Sequence, residues 1–383
     1  MKIISNFISP IISEWAFVLL VSCISLYNAQ LFGVNAFHII PLPFVCYFFL
    51  NYPKHGSFQR DYITLFMLLM LQVLFFTLAS ENVDIIGNMK TYILSLMVMT
   101  YKPNIKMANT LLTVLAISGL ILGFYTLQNP EYIAGSRLTV KIGDVIQDPT
   151  WITVLLLPPF CVGICMLNDK STLKKLLAFF MILFPLYMVF LSGSRGSLLA
   201  MLIAFITWAV RSTNRGNRIK LFFAIILISI VGYYFYMSIL GSLNDGLIER
   251  YTGEDDESGH IRLYTWGLII NGWLDSNILQ FLFGHGLGSC IRDFRLDAHN
   301  MLLQQVYEMG ILGFALMVAF LFKITKHIYA SKDTCCICMI NALVIVTLLT
   351  PIWGHIYYFI LLACIMYIVY TKRIFHLKSN RLQ

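Results

Sequence analysis

Charged side chains are scarce in this sequence. Asp, Glu, Lys and Arg make up 12% of the 383 residues, whereas 58% of the residues are hydrophobic and the mean hydropathy is +0.77. Because soluble domains carry about 25% charged residues, this composition excludes a soluble globular protein. We therefore expect a polytopic membrane protein.

Signatures of disulfide and metal chemistry are also missing, although the chain has nine cysteines. Cys290 is the one cysteine of the long polar segment 241–300, so no disulfide can form within that segment. The cluster from Cys335 to Cys338 has no histidine after it at zinc-finger spacing, and we predict no metal there. The first apolar run lacks the small-residue cleavage site of a signal peptide, so we expect it to be retained.

Twelve apolar runs recur along the chain. Crossing hydrocarbon about 30 Å thick takes about 20 helical residues. The runs span residues 12–32, 36–51, 62–79, 84–101, 108–127, 150–167, 175–191, 197–211, 219–240, 301–322, 334–350 and 353–371. We predict an all-α fold of about twelve transmembrane helices that forms a single integral membrane domain over residues 1–383.

Basic residues are concentrated in alternate connections between these runs. Of the 27 basic residues, 19 lie in one set of connections and at the two ends, and the parity holds through all twelve runs. The positive-inside rule predicts that this side is cytoplasmic, together with both termini. The +8 formal charge therefore reflects cytoplasmic loops, and no nucleic-acid partner is expected.

Arginine dominates the opposite, external face. Six of its seven basic residues are arginine, whereas lysine outnumbers arginine by 13 to 6 on the inside. A guanidinium group makes two-pronged hydrogen bonds to phosphate or carboxylate that an ammonium group cannot make. Salt bridging with the nine acidic residues of 241–300 is the alternative explanation; it accounts for Arg292 or Arg295 but poorly for Arg195.

Two external connections come before the long polar segment. Residues 128–149 are expected to form a small surface loop that carries Arg137. Asp148 followed by Pro149 is typical of a helix start, so the next helix is expected to begin there. The second connection, SGSRGS (192–197), is a very tight turn with one arginine. We interpret it as an anion site at a helix N-terminus, the alternative being a snorkelling arginine.

Residues 241–300 form the one long external segment. Its acidic run, 254–257, is interpreted as a solvated turn. An amphipathic helix is predicted from Ile261 to Leu282, lying on the membrane surface or capping a cavity. Asp297 is predicted to cap the following helix, which would place His299 in the first turn. The alternative for His299 is an interfacial histidine that caps its own helix.

Two motifs resemble the O-antigen ligase/polymerase superfamily of bacterial envelope glycosyltransferases. One is SGSRGSLLA (192–200), and the other is the pattern His-Asn-x-x-Leu-Gln-x-x-x-Glu-x-Gly, present here over 299–310 behind GHGLGS. An arginine before a tryptophan in the long external segment, Arg262 and Trp266, also fits. The resemblance covers 135–313, and the earlier runs match by hydropathy alone. Asp-Pro-Thr (148–150) departs from the Asn- or Asp-Pro-Asn that relatives often carry.

The resemblance implies a GT-C-like, metal-independent glycosyltransferase that uses no cofactor. Its donor would be a glycan on undecaprenyl pyrophosphate, and its active site would lie outside the bacterial inner membrane. Arg195 and Arg262 would bind the pyrophosphate, and His299 would act as general base. Seven residues are predicted to support this site: Arg137, Ser194, His260, His285, Arg292, Arg295 and Asn300. The first external connection, 33–35, carries no carboxylate that could hold a metal.

The chemistry of these residue types agrees with that implication. Fixed guanidinium groups can stabilise the charge that develops on a pyrophosphate leaving group. An imidazole can take the acceptor's proton near neutral pH, and direct attack predicts inversion at the anomeric carbon.

Three hypotheses about the function remain open. A polymerase, which we favour, would add the growing chain to a lipid-linked repeat unit, whereas a ligase would move it to lipid A–core. A non-enzymatic flippase is the third reading, but it predicts charges within several spans and inverted repeats, which are not seen. Membrane lipids, a chain-length regulator and a flippase are the expected partners.

Overall fold

The computed structural model describes residues 15, 20, 30–31, 34–35, 39–55, 67, 85–101, 104–133, 137–143, 145–212, 257–286, 288–295, 298–349 and 356–381. The chain forms two compact units. Unit 1 comprises residues 1–115, 262–333 and 347–383, and unit 2 comprises residues 116–261 and 334–346.

The described residues are mostly helical. The first seven helices are α1 (Leu42–His55), α2 (Ile85–Thr100), α3 (Ile105–Gln128), α4 (Pro149–Leu155), α5 (Leu157–Met166), α6 (Thr172–Leu191) and α7 (Arg195–Ser212). They are followed by α8 (Glu257–Leu274), α9 (Ile278–Phe283), α10 (Ser289–Phe294), α11 (Met301–Ser331), α12 (Thr334–Leu349) and α13 (Ile356–Arg381).

Within the described residues, six stretches are long and apolar enough to cross a membrane, so the chain is a multi-pass membrane protein. They are Ile105–Gln128, Pro149–Met166, Thr172–Leu191, Arg195–Ser212, Met301–Ser331 and Tyr358–Phe375. The shorter helices α1, α2 and α12 coincide with three more predicted runs. The predicted runs at 12–32, 62–79 and 219–240 lie largely or wholly outside the described residues, and a total of twelve spans stays a prediction.

The connection predicted over 128–149 contains a small antiparallel sheet, which was not predicted from the sequence. Its strands are β3 (Pro130–Ile133), β4 (Arg137–Ile142) and β5 (Val145–Ile146), preceded in the chain by the short pair β1 (Gln30–Leu31) and β2 (Val34–Asn35). Leu138, Val140 and Ile142 are buried, and this alternation of apolar residues stabilises the central strand. The helix start after it is confirmed, because the Asp148 side chain accepts a hydrogen bond from the Thr150 amide at 2.6 Å.

The predicted single helix over 261–282 is two helices. The first, α8, begins at Glu257, so the last residue of the acidic run is helical and not part of a turn. It ends at Leu274, and Asn277 caps α9 by accepting from the Gln280 amide at 2.9 Å. The side chains of Ile269, Cys290, Ala298 and Tyr307 form a small hydrophobic core that packs α8, α10 and the start of α11 together.

Candidate active site

The Ser-Gly-Ser turn of unit 2 is held by the sheet. The turn connects α6 to α7 in three residues, 192–194, and Gly193 adopts a positive φ of 60° within it. Arg137, at the start of β4, donates its Nε–H to the Ser192 carbonyl oxygen at 3.1 Å. Arg137 therefore supports the turn through a backbone carbonyl.

A chain of buried hydroxyl groups fixes the start of α7. Thr153 Oγ1 donates to the Thr150 carbonyl at 2.8 Å, and Ser197 Oγ lies 2.5 Å from Thr153 Oγ1. With the Thr153 proton used in this way, Ser197 donates to Thr153, and Ser194 donates to Ser197 at 2.9 Å. The Ser194 hydroxyl is therefore part of this buried chain, and Arg195 is the exposed first residue of α7.

In unit 1, one hydrogen bond connects α8 to the segment that carries His299. The indole N–H of Trp266 donates to the carbonyl oxygen of buried Ala298 at 2.7 Å. Arg262 is half-buried and lies one helical turn before Trp266, on the same face of α8. The structure therefore places the Arg262 face of α8 beside the residue that precedes His299.

His299 lies before the first turn of its helix, so the prediction that Asp297 caps this helix is wrong. Asn300 is the N-cap of α11, and its side-chain oxygen accepts from the amides of Leu302 and Leu303 at 3.0 and 3.3 Å. Ala298 and His299 thus form the approach to the helix. The His299 side chain is exposed, and its φ of 45° is a left-handed conformation that histidine adopts more readily than most residues.

His285 lies in a network of its own within unit 1. Its Nε2 is 2.6 Å from Ser276 Oγ, and its ring stacks on that of Tyr307 with centroids 4.2 Å apart. Tyr307 donates its hydroxyl to Asp293 at 2.8 Å. Burial lowers the pKa of His285 below its ordinary value, and the hydrogen bond from the Arg292 guanidinium is the main cause that lowers the pKa of Asp293.

The remaining predicted support residues lie on α8 and α10. Arg292 lies on α10 and pairs with Asp293, with Nε 2.7 Å from Oδ1. Arg295 ends α10 with a positive φ of 55° and is exposed. His260 lies in the first turn of α8. Among the described residues, no group of three or more His, Cys, Asp or Glu could hold a metal ion.

Sequence reasoning missed Tyr307, Asp293 and Ser276, as well as a break inside α11 at Gly310. The ring of Tyr307 lies in an apolar run, where an aromatic residue is ordinary, so no local signal separated it from core residues. The available signal for the turn and for the break in α11 was the glycines themselves. Gly284, Gly286, Gly288 and Gly310 all adopt positive φ.

Comparison with known proteins agrees with the two sequence motifs. Residues 179–318 match the family model described as O-antigen ligase, and this range contains Arg195, Arg262 and His299. A Rickettsia typhi protein that carries the provisional name polysaccharide ligase is 25% identical over 194 residues. That match spans 47% of this chain and 44% of the relative, which is less than half the relative's length.

The fold has a counterpart among solved structures. A chain from a structure described as the structural coordination of polymerization and crosslinking by a peptidoglycan synthase complex superposes with a TM-score of 0.51. It is 13% identical, and the superposition covers 83% of this chain and 99% of that chain, so the likeness concerns the fold alone. The match over 179–318 and the relative's name agree with the two motifs, so this part of the chain is similar to the O-antigen ligase family.

Proposed function

We propose that this protein transfers a glycan from a lipid pyrophosphate carrier to a hydroxyl acceptor, with His299 as general base and Arg262 as a pyrophosphate ligand. The observation that carries the proposal is the hydrogen bond from Trp266 to the Ala298 carbonyl. It fixes the arginine-bearing face of α8 beside the residue before His299. A histidine and an arginine therefore lie on neighbouring segments of one unit, which supports the proposal.

The reaction then proceeds as a single displacement. The acceptor oxygen attacks the anomeric carbon while its proton passes to the imidazole of His299. The bond from that carbon to the pyrophosphate oxygen breaks, and the guanidinium of Arg262 stabilises the negative charge on the departing group. One displacement inverts the anomeric configuration. The role of Arg195 in pyrophosphate binding stays a prediction, supported by its exposure at the first residue of α7.

Two acceptors fit this chemistry. A lipid-linked repeat unit would make the protein a polymerase, which the sequence favours because its loops show nothing that singles out a large lipopolysaccharide acceptor. Lipid A–core would make it a ligase, which the family description and the relative's name favour. Both reactions break the same donor bond, so the choice between them depends on acceptor binding alone.

A reconstitution assay tests the proposal and separates the acceptors. The purified protein is incubated in EDTA with a lipid-linked repeat unit, with or without lipid A–core, and the products are resolved by gel and mass spectrometry. Growth of the lipid-linked chain identifies a polymerase, and appearance of glycan on lipid A–core identifies a ligase. If folded protein transfers glycan to neither acceptor in EDTA, the metal-independent transferase proposal is wrong.

A deletion strain gives an independent answer in cells. Core bearing a single repeat unit means that polymerase activity was lost. Bare core together with long lipid-linked chains means that ligase activity was lost. Unchanged surface glycan contradicts both.

A further inference from the structure

The Gly-rich turn at 284–286 replaces hydrogen bonds that α11 has lost. Gly310, with φ 65° and ψ −178°, breaks α11 into two segments. In an unbroken helix the carbonyls of Tyr307 and Glu308 would accept from the amides four residues further on. Here they accept from the amides of His285 and Gly286, each at 3.0 Å. The turn is thus bonded to the end of the helical segment 301–309.

Two glycines allow this close contact between the backbones. A Cβ atom on Gly284 would lie 2.3 Å from the Glu308 carbonyl oxygen, and one on Gly310 would lie 2.4 Å from the Leu282 carbonyl oxygen. Neither distance leaves room for a side chain. Both glycines also have positive φ, 87° and 65°, which an L side chain rarely adopts. These two glycines therefore fix the position in which the turn packs against α11.

The side chain of His285 holds the turn in this position through two contacts. Ser276 Oγ has one proton, which it donates to the Gly272 carbonyl at 2.8 Å, so His285 must donate its Nε2–H to Ser276. The imidazole ring also lies flat on the ring of Tyr307, with an interplanar angle of 5°. His285 thus connects the C-terminal end of α8 to segment 301–309, whose N-terminus is Asn300 and the adjoining His299.

We propose that His285 is a positioning residue for His299. It sets the orientation of segment 301–309 through Tyr307, and the orientation of that segment sets the direction of the His299 side chain. This inference rests on the proposed function for its effect on turnover, although not for its effect on geometry. The Nε2–H and the ring face of His285 are both engaged by Ser276 and Tyr307, and through these contacts His285 acts on the helix.

Two variants separate the contacts that His285 makes. His285→Gln can keep an N–H donor for Ser276 but loses the ring that stacks on Tyr307. His285→Phe keeps the ring but loses the donor, and Ser276→Ala removes the acceptor of the same hydrogen bond. Ser331→Ala, at the far end of α11, is a matched control, because that hydroxyl donates to the local Ile328 carbonyl.

Glycosyl transfer is measured as separate kcat and KM values. A displaced base lowers kcat by about 10- to 100-fold while the donor KM changes little, since a misplacement of about 1 Å has effects of that size. His285→Phe combined with Ser276→Ala should lower kcat by less than the two single effects combined, because both variants remove the hydrogen bond between His285 and Ser276. Ser331→Ala should retain wild-type kcat.

A second readout does not depend on activity. The rate at which diethyl pyrocarbonate modifies His299, followed by mass spectrometry, should change in the His285 variants and remain unchanged in Ser331→Ala. Wild-type kcat together with an unchanged His299 modification rate in folded His285→Gln and His285→Phe would overturn the proposal. So would a loss of kcat with an unaltered modification rate, because His285 would then act directly on the substrate. If the wild type transfers no glycan, the proposed function fails, and the modification rates still decide the positioning role.

Discussion

The backbone of His299 adopts a left-handed conformation immediately before the cap of α11, and its imidazole is exposed. Strained backbone positions of this kind cost about 1–3 kcal/mol and are common at functional sites. If His299 only filled space, a residue with the same backbone preference could replace it without loss of activity. This gives a way to separate the imidazole's chemistry from the conformation of its backbone.

Replacing His299 with asparagine should abolish most of the glycosyl transfer. Asparagine tolerates positive φ, so the approach to α11 should fold as in the wild type, but it cannot accept a proton near neutral pH. Loss of a general base is expected to lower kcat by about 10²- to 10⁴-fold. The rate is measured with purified protein, and Tm reports folding. Retention of wild-type kcat would exclude His299 as the base.

Acid should destabilise unit 1 through His285. Burial lowers its pKa in the folded protein below the ordinary value of 6.5, so the unfolded chain binds the proton more readily. The contribution of neutral His285 to stability is present above that value and is lost as pH falls through the folded-state pKa. Asp293, whose pKa is also lowered, extends the loss to more acidic pH, below 3.8.

This pH dependence is measured as Tm in detergent at pH 7.5 and pH 5.5. His285→Phe, which keeps the ring stacked on Tyr307 but has no titrating group, should show a smaller fall in Tm over that interval. An equal fall in the variant and the wild type would show that other groups cause the acid sensitivity.

At the scale of elements, α11 is one run in sequence and two segments in structure. Its first segment begins at the Asn300 cap and ends at Gly310, whose backbone conformation is one that glycine almost alone adopts. The turn at 284–286 supplies the amide donors that the break removes. A broken helix that is satisfied by a neighbouring segment is a stable way to place irregular backbone inside a membrane protein.

Gly310→Ala should destabilise the protein and Gly267→Ala should not. At Gly310 an added Cβ meets the Leu282 carbonyl oxygen at 2.4 Å and the positive φ is strained, so the cost is expected to be about 1–3 kcal/mol or more. At Gly267, within α8, nothing lies within 4 Å of an added Cβ. Alanine there should be neutral or stabilising by up to about 1 kcal/mol. Thermal unfolding of both variants in detergent checks the contrast, and equal Tm values would contradict the described break.

At the scale of the whole molecule, the alternation of basic connections predicts which loops face the cytoplasm. Tyr132 in the small sheet and Lys174 at the start of α6 are both exposed, and the charge pattern assigns them to opposite sides. A membrane-impermeant maleimide should label Tyr132→Cys in cells with a permeabilised outer membrane. It should label Lys174→Cys only after lysis. The wild type reports the background from native cysteines, and the reverse pattern would invert the predicted topology.

Prediction from sequence succeeded where local chemistry is sufficient. The cap at Asp148 and the tight turn before Arg195 were predicted correctly, because each depends on a few adjacent residues. The sheet at 130–146 was missed although Leu138, Val140 and Ile142 alternate, because short strands acquire their stability from pairing with one another. The cap of α11 was assigned to Asp297 because aspartate and asparagine are nearly equal in this role, and only the helix start distinguishes them.

The sequence by itself determined that this is a helical membrane protein with similarity to the O-antigen ligase family over 179–318, since composition and short motifs carry that information without any long-range contact. Only the tertiary structure decided that the Arg262 face of α8 lies beside Ala298 and that His285 stacks on Tyr307 of α11. It also decided that Arg137 donates a hydrogen bond to the Ser192 carbonyl. The physical reason is the same for all three: each contact joins residues distant in sequence through a backbone carbonyl, a backbone amide or a ring face, and every residue in the chain offers at least one such group.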